Sequence, residues 1–537
     1  MPDLTPSSPA GPPSHRLRVR SFVGLAFAGL IMGVLAAGVV RSPGYMDADY
    51  YFATGRELSR GHGFNEPFLW NYLDDPPGLP HPSHLYWMPL ASILAAGSMS
   101  VFGVAFRAAQ IPFLLLTAAL PPLTAGLALR VTSQAGRAVQ SGLLAAFSGF
   151  FLPFFVTTDA FAAYAVLGGG LLWTLAEASQ SRKGSWWLAS GALLGLCHLA
   201  RADAPLMLLP VLYALLRSRP VRPSAVGLLV SGYAVVMTPW FVRNLLVVGS
   251  PLNPGGVRVL WILGYDDLFR FPGSGLSPGR WLEAGLQVHL ELRLGAAGTM
   301  LQRALAENGL VFLAPFMLLG AVRTWSKAHV RIAMLYLGGL FGGLTLAFPA
   351  IGARGAYFHA SVAAMPILWA LAPVGVAAGT QWVGARRGWN TPQAVRTFTA
   401  GAVVIAGLLT LILLARRMPS PGGGGWGSGS EAYQVVGEQL ARLDADRAPV
   451  AVNNPPGFFA ATDWPAVVIP DGDPSVLHQV VQRYGVGWVV LDANHPQDLA
   501  ELYADPARLE WLRPVTSWPD PSGRPIWLLA VVREAGP

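Results

Sequence analysis

The chain has 537 residues, of which 53% are hydrophobic and only 12% are charged. This composition is too apolar for a water-soluble protein of this size and excludes that class. The net charge of +8 comes from basic residues that stand singly or in pairs between apolar segments, a distribution typical of membrane-topology signals and not of a nucleic-acid surface. With one cysteine, Cys197, the chain forms no internal disulfide.

The N-terminus is rich in Pro and Ser, and we predict a disordered cytoplasmic segment over residues 1–20. An apolar run over 22–40 follows this basic segment and has about the 20 residues that a helix needs to cross a bilayer. A cleaved signal peptide is the alternative interpretation. The run is longer than the core of an ordinary signal peptide, so we predict a first membrane span.

Ten later segments are also predicted to cross the membrane: 110–129, 139–157, 160–178, 187–200, 204–216, 224–242, 309–322, 332–350, 357–377 and 397–415. Whether a shorter segment, 88–105, crosses the membrane decides which side of the membrane each later loop faces. If it crossed, most short basic loops would face outward, against the tendency of Lys and Arg to collect on the cytoplasmic side. We therefore predict a juxtamembrane or re-entrant helix there, and about eleven spans within 21–418, with the N-terminus inside and the C-terminus outside.

The first extracytoplasmic loop, predicted over 41–109, contains two closely spaced carboxylates, Asp47 and Asp49, in MDADYYFATGRELSRG. The spacing of apolar and aromatic residues predicts a helix that lies along the membrane interface. Either Asp could simply cap that helix. A proline-rich segment follows and is predicted to be extended; its two histidines, His81 and His84, match no tight zinc spacing.

Further charged residues fall at the outward ends of spans in the predicted topology, on the same side as Asp47. They are Asp159 in TTDAF, Arg201 and Asp203 in LARADAP, Arg243 in PWFVRN, and Arg354 and His359 in RGAYFHAS. Each has a structural explanation: a helix cap, an Arg–Asp pair that holds a turn, or an arginine that extends to the interface. Collected on one side of a membrane, however, they also provide bases and phosphate-binding cations.

Residues 419–430, PSPGGGGWGSGS, are predicted to form a flexible linker. Helical periodicity and short apolar strands then alternate, which predicts a small soluble α/β domain over 431–537, outside the membrane. This segment has no Gly-rich phosphate loop and no metal-spaced Cys or His. We assign it no chemistry and expect a lid, docking or stabilising role.

The order of these motifs resembles that of the GT-C membrane glycosyltransferases, specifically the bacterial branch related to protein O-mannosyltransferases and lipid A aminoarabinose transferases. The resemblance covers roughly residues 20–415 and the appended domain, and is carried by MDADYY, HPSHLYWMPL, TTDAF, LARADAP, PWFVRN and RGAYFHAS. It implies a GT-C-like polytopic α-helical fold with juxtamembrane helices. It also implies transfer of a hexose or pentose from a polyprenyl-phosphate donor to a hydroxyl on a protein, lipid or glycan of the cell envelope.

Many relatives have Asp-Glu in place of Asp47-Ala48-Asp49, and Lys where this chain has His81 or His84. These departures leave open which Asp is the base and which cation meets the phosphate. No cofactor is expected apart from a divalent metal ion between Asp47 and Asp49, which stays an alternative.

Because a departing phosphate needs no proton, such an enzyme requires one base and several cations. We expect Asp47 to be the base, with Asp49 or Asp159 orienting the acceptor. The expected phosphate-binding residues are His84, Arg201, Arg243, Arg354 and His359. The expected substrate-lining residues are Tyr50, Tyr51, His81, Tyr86, Trp87 and Tyr357.

A membrane transporter or lipid flippase without glycosyl transfer is the alternative function. It too would place charges at membrane depth, but it would show inverted repeats with helices broken at the bilayer midplane. The sequence has no obvious internal repeat, and its ionisable residues fall at span ends. A scaffold that presents the C-terminal domain is a further alternative, although an anchor needs fewer spans.

Overall fold

The structure, a computed structural model, describes residues 15–218, 222–252, 254–418, 425–443, 446–520 and 522–532. Most of the predicted disordered N-terminus, residues 1–14, lies outside the described residues. The first half of the predicted linker, residues 419–424, does so too.

Helices dominate the described residues up to 418. They are α1 (His15–Val39), α2 (Met46–Ser59), α3 (Leu90–Phe102), α4 (Phe106–Thr132), α5 (Ala135–Phe147), α6 (Leu152–Phe155), α7 (Phe161–Gln180), α8 (Gly184–Ala200), α9 (Leu208–Arg217), α10 (Pro223–Val248), α11 (Pro254–Arg258), α12 (Pro278–Glu283), α13 (Gly285–Arg303), α14 (Ala314–Arg323), α15 (Ala328–Ala347), α16 (Pro349–Ile351), α17 (Tyr357–Ser361), α18 (Met365–Arg387) and α19 (Thr391–Ala415).

Eight helical segments of the described chain are long and apolar enough to cross a membrane: Val19–Val39, Phe106–Thr132, Ala135–Phe155, Phe161–Gln180, Pro223–Val248, Ala328–Ala347, Pro349–Arg387 and Thr391–Ala415. Large apolar side chains on these segments face outward, among them Val235 and Leu246, which are 76% and 80% exposed. Such surface is stable against lipid and costly against water. The polytopic helical class predicted from the sequence is confirmed.

The remaining three predicted spans are shorter helices. Helix α8 has 17 residues, whereas α9 and α14 have 10 each. At 1.5 Å per residue, ten residues extend about 15 Å, half of the roughly 30 Å hydrocarbon core. Helix α3, in the segment predicted not to cross, has 13 residues and packs against α2.

Glycines let α8 and α10 approach closely. A Cβ on Gly232 would lie 2.7 Å from the backbone nitrogen of Ala192, and one on Gly191 would lie 3.0 Å from Cα of Leu229. Close backbone approach through small residues is the usual way for helices to associate where lipid removes the hydrophobic driving force.

The helical path from α15 to α18 is interrupted between Ala347 and Met365. After α15 and α16 the chain makes a π-helical turn, Gly352–Ala356, before α17 and α18. A π turn widens the helix by one residue and is frequent at functional sites. Here it carries Arg354 and leads directly into His359.

The C-terminal domain is an α/β unit, as predicted. It contains α20 (Ser428–Leu443), β4 (Val450–Val452), α21 (Pro455–Thr462), β5 (Ala466–Val468), α22 (Pro474–Tyr484), β6 (Trp488–Leu491), α23 (Ala500–Ala504), β7 (Leu512–Pro519) and β8 (Pro525–Val531). Residues predicted as strands in PVAVNN, PAVVIP, VGWVVLD and PIWLLAVV form β4, β5, β6 and β8. Helix α21 and strand β7 were not predicted.

The loop between α2 and α3 completes the sheet of this domain. The loop contains β1 (Asn65–Glu66), β2 (Phe68–Leu69) and β3 (His81–Pro82), and β1 pairs with β3. Strand β2 pairs in parallel with β5, so the sheet has the order β2-β5-β4-β6-β8-β7. Phe68 packs on Phe459 with ring centroids 5.4 Å apart. The domain is therefore docked on the membrane unit by backbone pairing and by a shared apolar core.

Candidate active site

Helix α2 carries the first two carboxylates. Asp47 and Asp49 both occupy its first turn, where unpaired backbone N–H groups favour negative charge. Residues two positions apart are separated by about 200° around an α-helix, so the two side chains cannot face the same site. Asp47 faces a large cavity and keeps 28% of its side chain exposed. Asp49 is only 7% exposed and points towards the C-terminal domain.

Asp47, Asp159 and His359 form a compact group that we call the acid–histidine cluster. Nε2 of His359 lies 3.1 Å from Oδ2 of Asp159 and 3.4 Å from Oδ2 of Asp47. One ligand atom from each residue falls within 4.8 Å of the others. The cluster joins α2, the turn before α7 and the broken segment after α15, three elements that are far apart in the sequence.

Neighbouring hydroxyl groups fix the position of Asp159, which is 1% exposed. The hydroxyl of Tyr45 donates to Oδ2 of Asp159 at 2.7 Å. The hydroxyl of Thr158 donates to the carbonyl oxygen of Ala48 at 2.7 Å and so ties this turn to α2. Trp426, from the predicted flexible linker, packs edge-on against Tyr45 at 5.8 Å. The end of the linker is thus ordered and supports the cluster.

The imidazole of His359 is oriented by its own helix. Nδ1 lies 3.0 Å from the carbonyl oxygen of Gly355, and a ring nitrogen in that contact carries a proton. Nε2 is left facing the two carboxylates. That arrangement is favourable when a cation, either a second ring proton or a metal ion, lies between the nitrogen and the oxygens. The donor set of two carboxylates and one imidazole therefore fits a divalent ion.

The environment gives the two carboxyl groups of the cluster different pKa values. Burial raises the pKa of Asp47 to about 6, with His359 opposing the shift and Asp159 adding to it. Burial also acts to raise the pKa of Asp159, but His359 and the hydroxyl of Tyr45 outweigh it and hold that pKa below its usual value. Asp159 is consequently the constant anion, and Asp47 is the group able to exchange a proton near neutral pH.

Two arginines bring positive charge to the cavity. Arg201 binds Asp203 through two hydrogen bonds, Nε to Oδ1 at 3.0 Å and Nη2 to Oδ2 at 2.6 Å. The expected Arg–Asp pair thus holds its turn while the guanidinium also lines the cavity. Arg354 lies over the ring of Tyr265 at 4.8 Å. Within the described part of the chain Arg354 forms no ion pair, so its charge is free for a ligand.

The cavity has a volume of about 1260 Å³ and collects residues from both halves of the molecule. Of the predicted site residues it is lined by Asp47, Tyr51, Tyr86, Trp87, Arg201, Arg354 and His359. One side is apolar, with Leu206, Leu344, Phe348 and Ile351; the opposite wall is polar and belongs to the C-terminal domain, with Asn453, Asp471, Asn494, His495 and Asp498.

Several predicted residues lie outside the cavity lining. His84 is fully buried, with Nδ1 2.8 Å from Oγ of Ser83 and Nε2 2.9 Å from Oγ of Ser92. Burial and the nearby Arg243 lower its pKa to about 3, so it carries no charge with which to bind a phosphate. Arg243 is engaged by the carbonyl oxygen of Phe64 at 2.9 Å and by the ring of Trp240.

Tyr50, His81 and Tyr357 also have packing roles. The hydroxyl of Tyr50 accepts from the backbone N–H of His84 at 2.7 Å. Nε2 of His81 lies 3.1 Å from an oxygen of Glu66, and Tyr357 packs edge-on against Phe341. Asp47 and Asp49, the alternative site for a divalent ion, do not lie together. Among the described residues, the possible metal ligands that do lie together are those of the acid–histidine cluster, which contains Asp47 and not Asp49.

Sequence reasoning missed residues on both walls of the cavity. Tyr265 and Asp266 come from the loop after α11, and no sequence pattern marked them. Asn453 follows β4 directly, and the carboxyl ends of parallel strands are preferred ligand-binding positions. That signal was present in PVAVNN, in a domain to which no chemistry had been assigned.

The sequence matches the family described as dolichyl-phosphate-mannose-protein mannosyltransferase over residues 80–242. No curated protein matches the chain by sequence. Among solved structures, the chain is similar to ArnT from Cupriavidus metallidurans bound to undecaprenyl phosphate, with 13% identity, a TM-score of 0.58, and coverage of 98% of this chain and 100% of that chain.

Two structures from Archaeoglobus fulgidus are also similar. The oligosaccharyltransferase AglB in complex with an inhibitory peptide and a dolichol-phosphate is 14% identical, with a TM-score of 0.58 and coverage of 89% of this chain and 69% of that chain. The oligosaccharyltransferase complex with zinc and sulfate is 14% identical, with a TM-score of 0.55 and coverage of 93% and 72%.

These matches confirm the resemblance to the GT-C membrane glycosyltransferases that the motifs predicted, and they confirm the fold that it implies. With eight segments of span length, the chain is a multi-pass membrane protein.

Proposed function

We propose that this chain is an integral-membrane glycosyltransferase that moves a sugar from a polyprenyl-phosphate donor to an acceptor hydroxyl on the extracytoplasmic side. The observation that supports the proposal most strongly is that Asp47, Arg201, Arg354 and His359 line one cavity of about 1260 Å³. A base and phosphate-binding cations are thus accessible from a single space, as this chemistry requires. The matched family and structures concern sugar transfer and lipid phosphates.

Asp47 is proposed as the group that accepts the proton of the acceptor hydroxyl. It is the cluster carboxyl that remains accessible from the cavity, with 28% of its side chain exposed. Its raised pKa of about 6 makes it a stronger base than an ordinary Asp while it stays largely ionised at neutral pH. Asp159 and His359 hold its carboxylate in place, and their proposed role is orientation.

Arg354 and Arg201 are proposed to bind the phosphate of the donor and to stabilise the charge that grows on it as the sugar leaves. The leaving polyprenyl phosphate is an anion and takes no proton, so cations suffice. Arg354, free of ion pairs in the described chain, is the stronger candidate because Arg201 already shares its charge with Asp203. A guanidinium offers a planar fork that matches phosphate oxygens.

The apolar side of the cavity fits the lipid part of such a donor. Leu206, Leu344, Phe348 and Ile351 lie on α15 and on the short helices beside α9 and α17. Apolar walls beside a charged pocket accommodate an isoprenoid chain next to its phosphate. The polar wall from the C-terminal domain then remains for the acceptor.

A divalent metal ion is proposed at the acid–histidine cluster. Asp47, Asp159 and His359 would hold it, since the lone pair on Nε2 of His359 and the two carboxylates form a suitable donor set. When bound, such an ion would supply positive charge close to the donor phosphate and the acceptor oxygen. It would also lower the pKa of Asp47, whose value of about 6 applies to the metal-free cluster. The three side chains then also fix one another's positions.

The experiment is incubation of the purified protein with a panel of polyprenyl-phosphate sugars and acceptors, followed by detection of free polyprenyl phosphate. Release that depends on Asp47 supports the proposal. The transporter alternative makes the opposite prediction: labelled lipid or sugar would cross liposome membranes without cleavage of the sugar–phosphate bond. Accessibility labelling of residues in the C-terminal domain, in sealed vesicles of known orientation, tests the proposed sidedness.

A further inference from the structure

Asp49 is held by the C-terminal domain and not by the cavity. Its Oδ2 accepts a hydrogen bond from Nδ2 of Asn454 at 2.8 Å. Asn454 is at the same time the N-cap of α21, because its Oδ1 accepts from the backbone N–H of Gly457 at 3.1 Å. One amide side chain therefore connects the first turn of α2 to the first turn of α21.

Gly457 leaves the space that this contact needs. A Cβ at this position would lie 2.7 Å from Oδ2 of Asp49, closer than non-bonded carbon and oxygen atoms approach. The side chain of Asn454 is nearer still, so any residue but glycine at position 457 would force Asn454 and Asp49 to move. This close fit indicates a specific contact rather than an incidental approach of two surfaces.

The rest of the same face of α2 is fixed in the same way. Arg56 donates through Nη1 to the carbonyl oxygen of Ala460 at 3.0 Å and through Nη2 to that of Phe459 at 2.9 Å, at the end of α21. Arg60 binds both carboxylate oxygens of Asp463. We call this set, with Asp49 and Asn454, the interdomain clamp. It extends over three turns of α2.

We propose that Asp49 is a positioning residue, and that its hydrogen bond to Asn454 sets the rotation of α2 so that Asp47 stays directed at Asp159, His359 and the cavity. The proposal rests on the proposed function, because it assigns a role within the same transfer reaction. The two carboxylates project from nearly opposite sides of one helical turn, so a rotation that releases Asp49 displaces Asp47. A displacement of about 1 Å at a reacting group reduces rates by roughly a hundredfold.

The C-terminal domain thereby contributes to transfer at two adjacent residues. Asn454 binds Asp49, and Asn453, its neighbour, lines the cavity, where its Nδ2 donates to Oδ1 of Asp492 at 2.6 Å. A movement of this part of the domain would shift the cavity wall and the helix of Asp47 together. The rival hypothesis is that Asp49 is itself a base or a metal ligand, as its place in an Asp-x-Asp motif suggests.

An exchange of the two side chains separates these hypotheses. Asn454→Asp removes the donor and places two carboxyl groups face to face, whereas in Asp49→Asn the amide oxygen can still accept from Nδ2 of Asn454. The double variant restores the hydrogen bond with donor and acceptor exchanged. In the double variant the second oxygen of the carboxylate introduced at position 454 can still cap α21. We expect Asn454→Asp to reduce kcat about tenfold or more, with KM for the donor changed less than about twofold, since the donor site is untouched. Asp49→Asn keeps the hydrogen bond and is expected to stay within about threefold of the parent kcat. The double variant is expected to recover to within about threefold of the parent kcat.

If Asp49 were a base or a metal ligand, Asp49→Asn and the double variant would both lose transfer, and the inference would be overturned. A parent protein that transfers no sugar would instead refute the proposed function and this inference with it. Thermal unfolding of the four proteins gives a second readout that needs no activity. Recovery of the unfolding temperature without recovery of kcat would show a purely structural contact and would also overturn the inference.

Gly457→Ala provides a further variant, since its Cβ would displace the side chains of both Asn454 and Asp49 while removing no polar group. Gly429, in α20 of the same domain, is the matched control because a Cβ there meets nothing within 4 Å. We expect Gly457→Ala to lower kcat about tenfold and Gly429→Ala to leave it unchanged within about twofold. Equal rates for the two alanine variants would contradict the proposal.

Discussion

The two faces of helix α2 carry similar residue types in opposite arrangements. On one face, Asp47 belongs to the acid–histidine cluster and remains partly exposed to the cavity. On the other, the charges of the interdomain clamp are satisfied by carboxylates, carbonyl oxygens and an amide. Burial raises the pKa of both carboxyl groups, to about 6 at Asp47 and to about 7 at Asp49, but only Asp47 can be reached by a ligand in the cavity. The accessibility and unused bonding capacity of a charge therefore separate chemistry from structure better than the residue type does.

The largest expected effect is on the cavity face, at Asp47. Asp47→Asn keeps the shape of the side chain and removes the base, so kcat for transfer is expected to fall about a thousandfold. Release of free polyprenyl phosphate from the donor measures the rate. Asp505→Asn, an exposed change of the same type, is the control and should leave the rate unchanged. A normal turnover of Asp47→Asn would contradict its assignment as the base.

The next effect is expected at Arg354. Arg354→Ala removes a guanidinium that makes no ion pair in the described chain, so the loss falls on the donor phosphate and is expected to lower kcat about a hundredfold. Arg354→Lys should recover part of the rate because the charge remains while the planar fork is lost. Arg387→Ala, at the exposed far end of the same helical segment, is the matched control. If Arg354→Ala and Arg387→Ala had equal rates, the phosphate role would be refuted.

Metal binding gives a smaller effect that is measured without turnover. Mn²⁺ titrated into the parent protein and followed by electron paramagnetic resonance is expected to bind at the acid–histidine cluster. Asp159→Asn should weaken that binding about tenfold or more, because it removes a buried anionic ligand. Asp505→Asn again serves as control. Absence of Mn²⁺ binding to the parent protein would mean that a ring proton of His359 supplies the cation between the carboxylates, and would contradict the metal proposal.

Much of the fold was predictable because its physical signals are local. Apolar runs predicted the membrane helices, and short β-rich runs between helical patterns predicted β4, β5, β6 and β8. The pairing of β2 with β5 was not predictable, because a two-residue strand such as Phe68–Leu69 has no periodicity. Eight of the eleven predicted spans form helical segments of span length in the described chain, whereas α8, with 17 residues, α9 and α14 are shorter.

The residue types of the site could be predicted from the sequence. The directions in which their side chains point were harder to predict. Asp47, Arg201, Arg354 and His359 were proposed from their places at span ends, and the structure brings them to one cavity. Asp49 was grouped with Asp47 because the two are adjacent in a motif. Whether two carboxylates share a site depends on the helical phase, and the local pattern predicted a helix without fixing which face meets the C-terminal domain.

The smallest expected effects lie in the clamp, and they distinguish its buried part from its exposed part. Arg56 has a side chain only 9% exposed, and its loss leaves two carbonyl oxygens at the end of α21 without donors. Arg56→Ala is therefore expected to reduce the free energy of unfolding by about 2 kcal/mol. Arg60, 35% exposed, binds Asp463 where water competes, so Arg60→Ala should cost less than about 1 kcal/mol.

Denaturant or thermal unfolding of the two variants in the same detergent measures this difference. The order matters more than the size. Both arginines bind Asp463 at the end of α21, but Arg56 is the more buried and also donates to two carbonyl oxygens. If Arg60→Ala were the more destabilising change, the docking of the domain would depend on its exposed rim. Asp49 and Asn454, at the buried end of the same face, would then no longer be the contacts that determine how α2 presents Asp47.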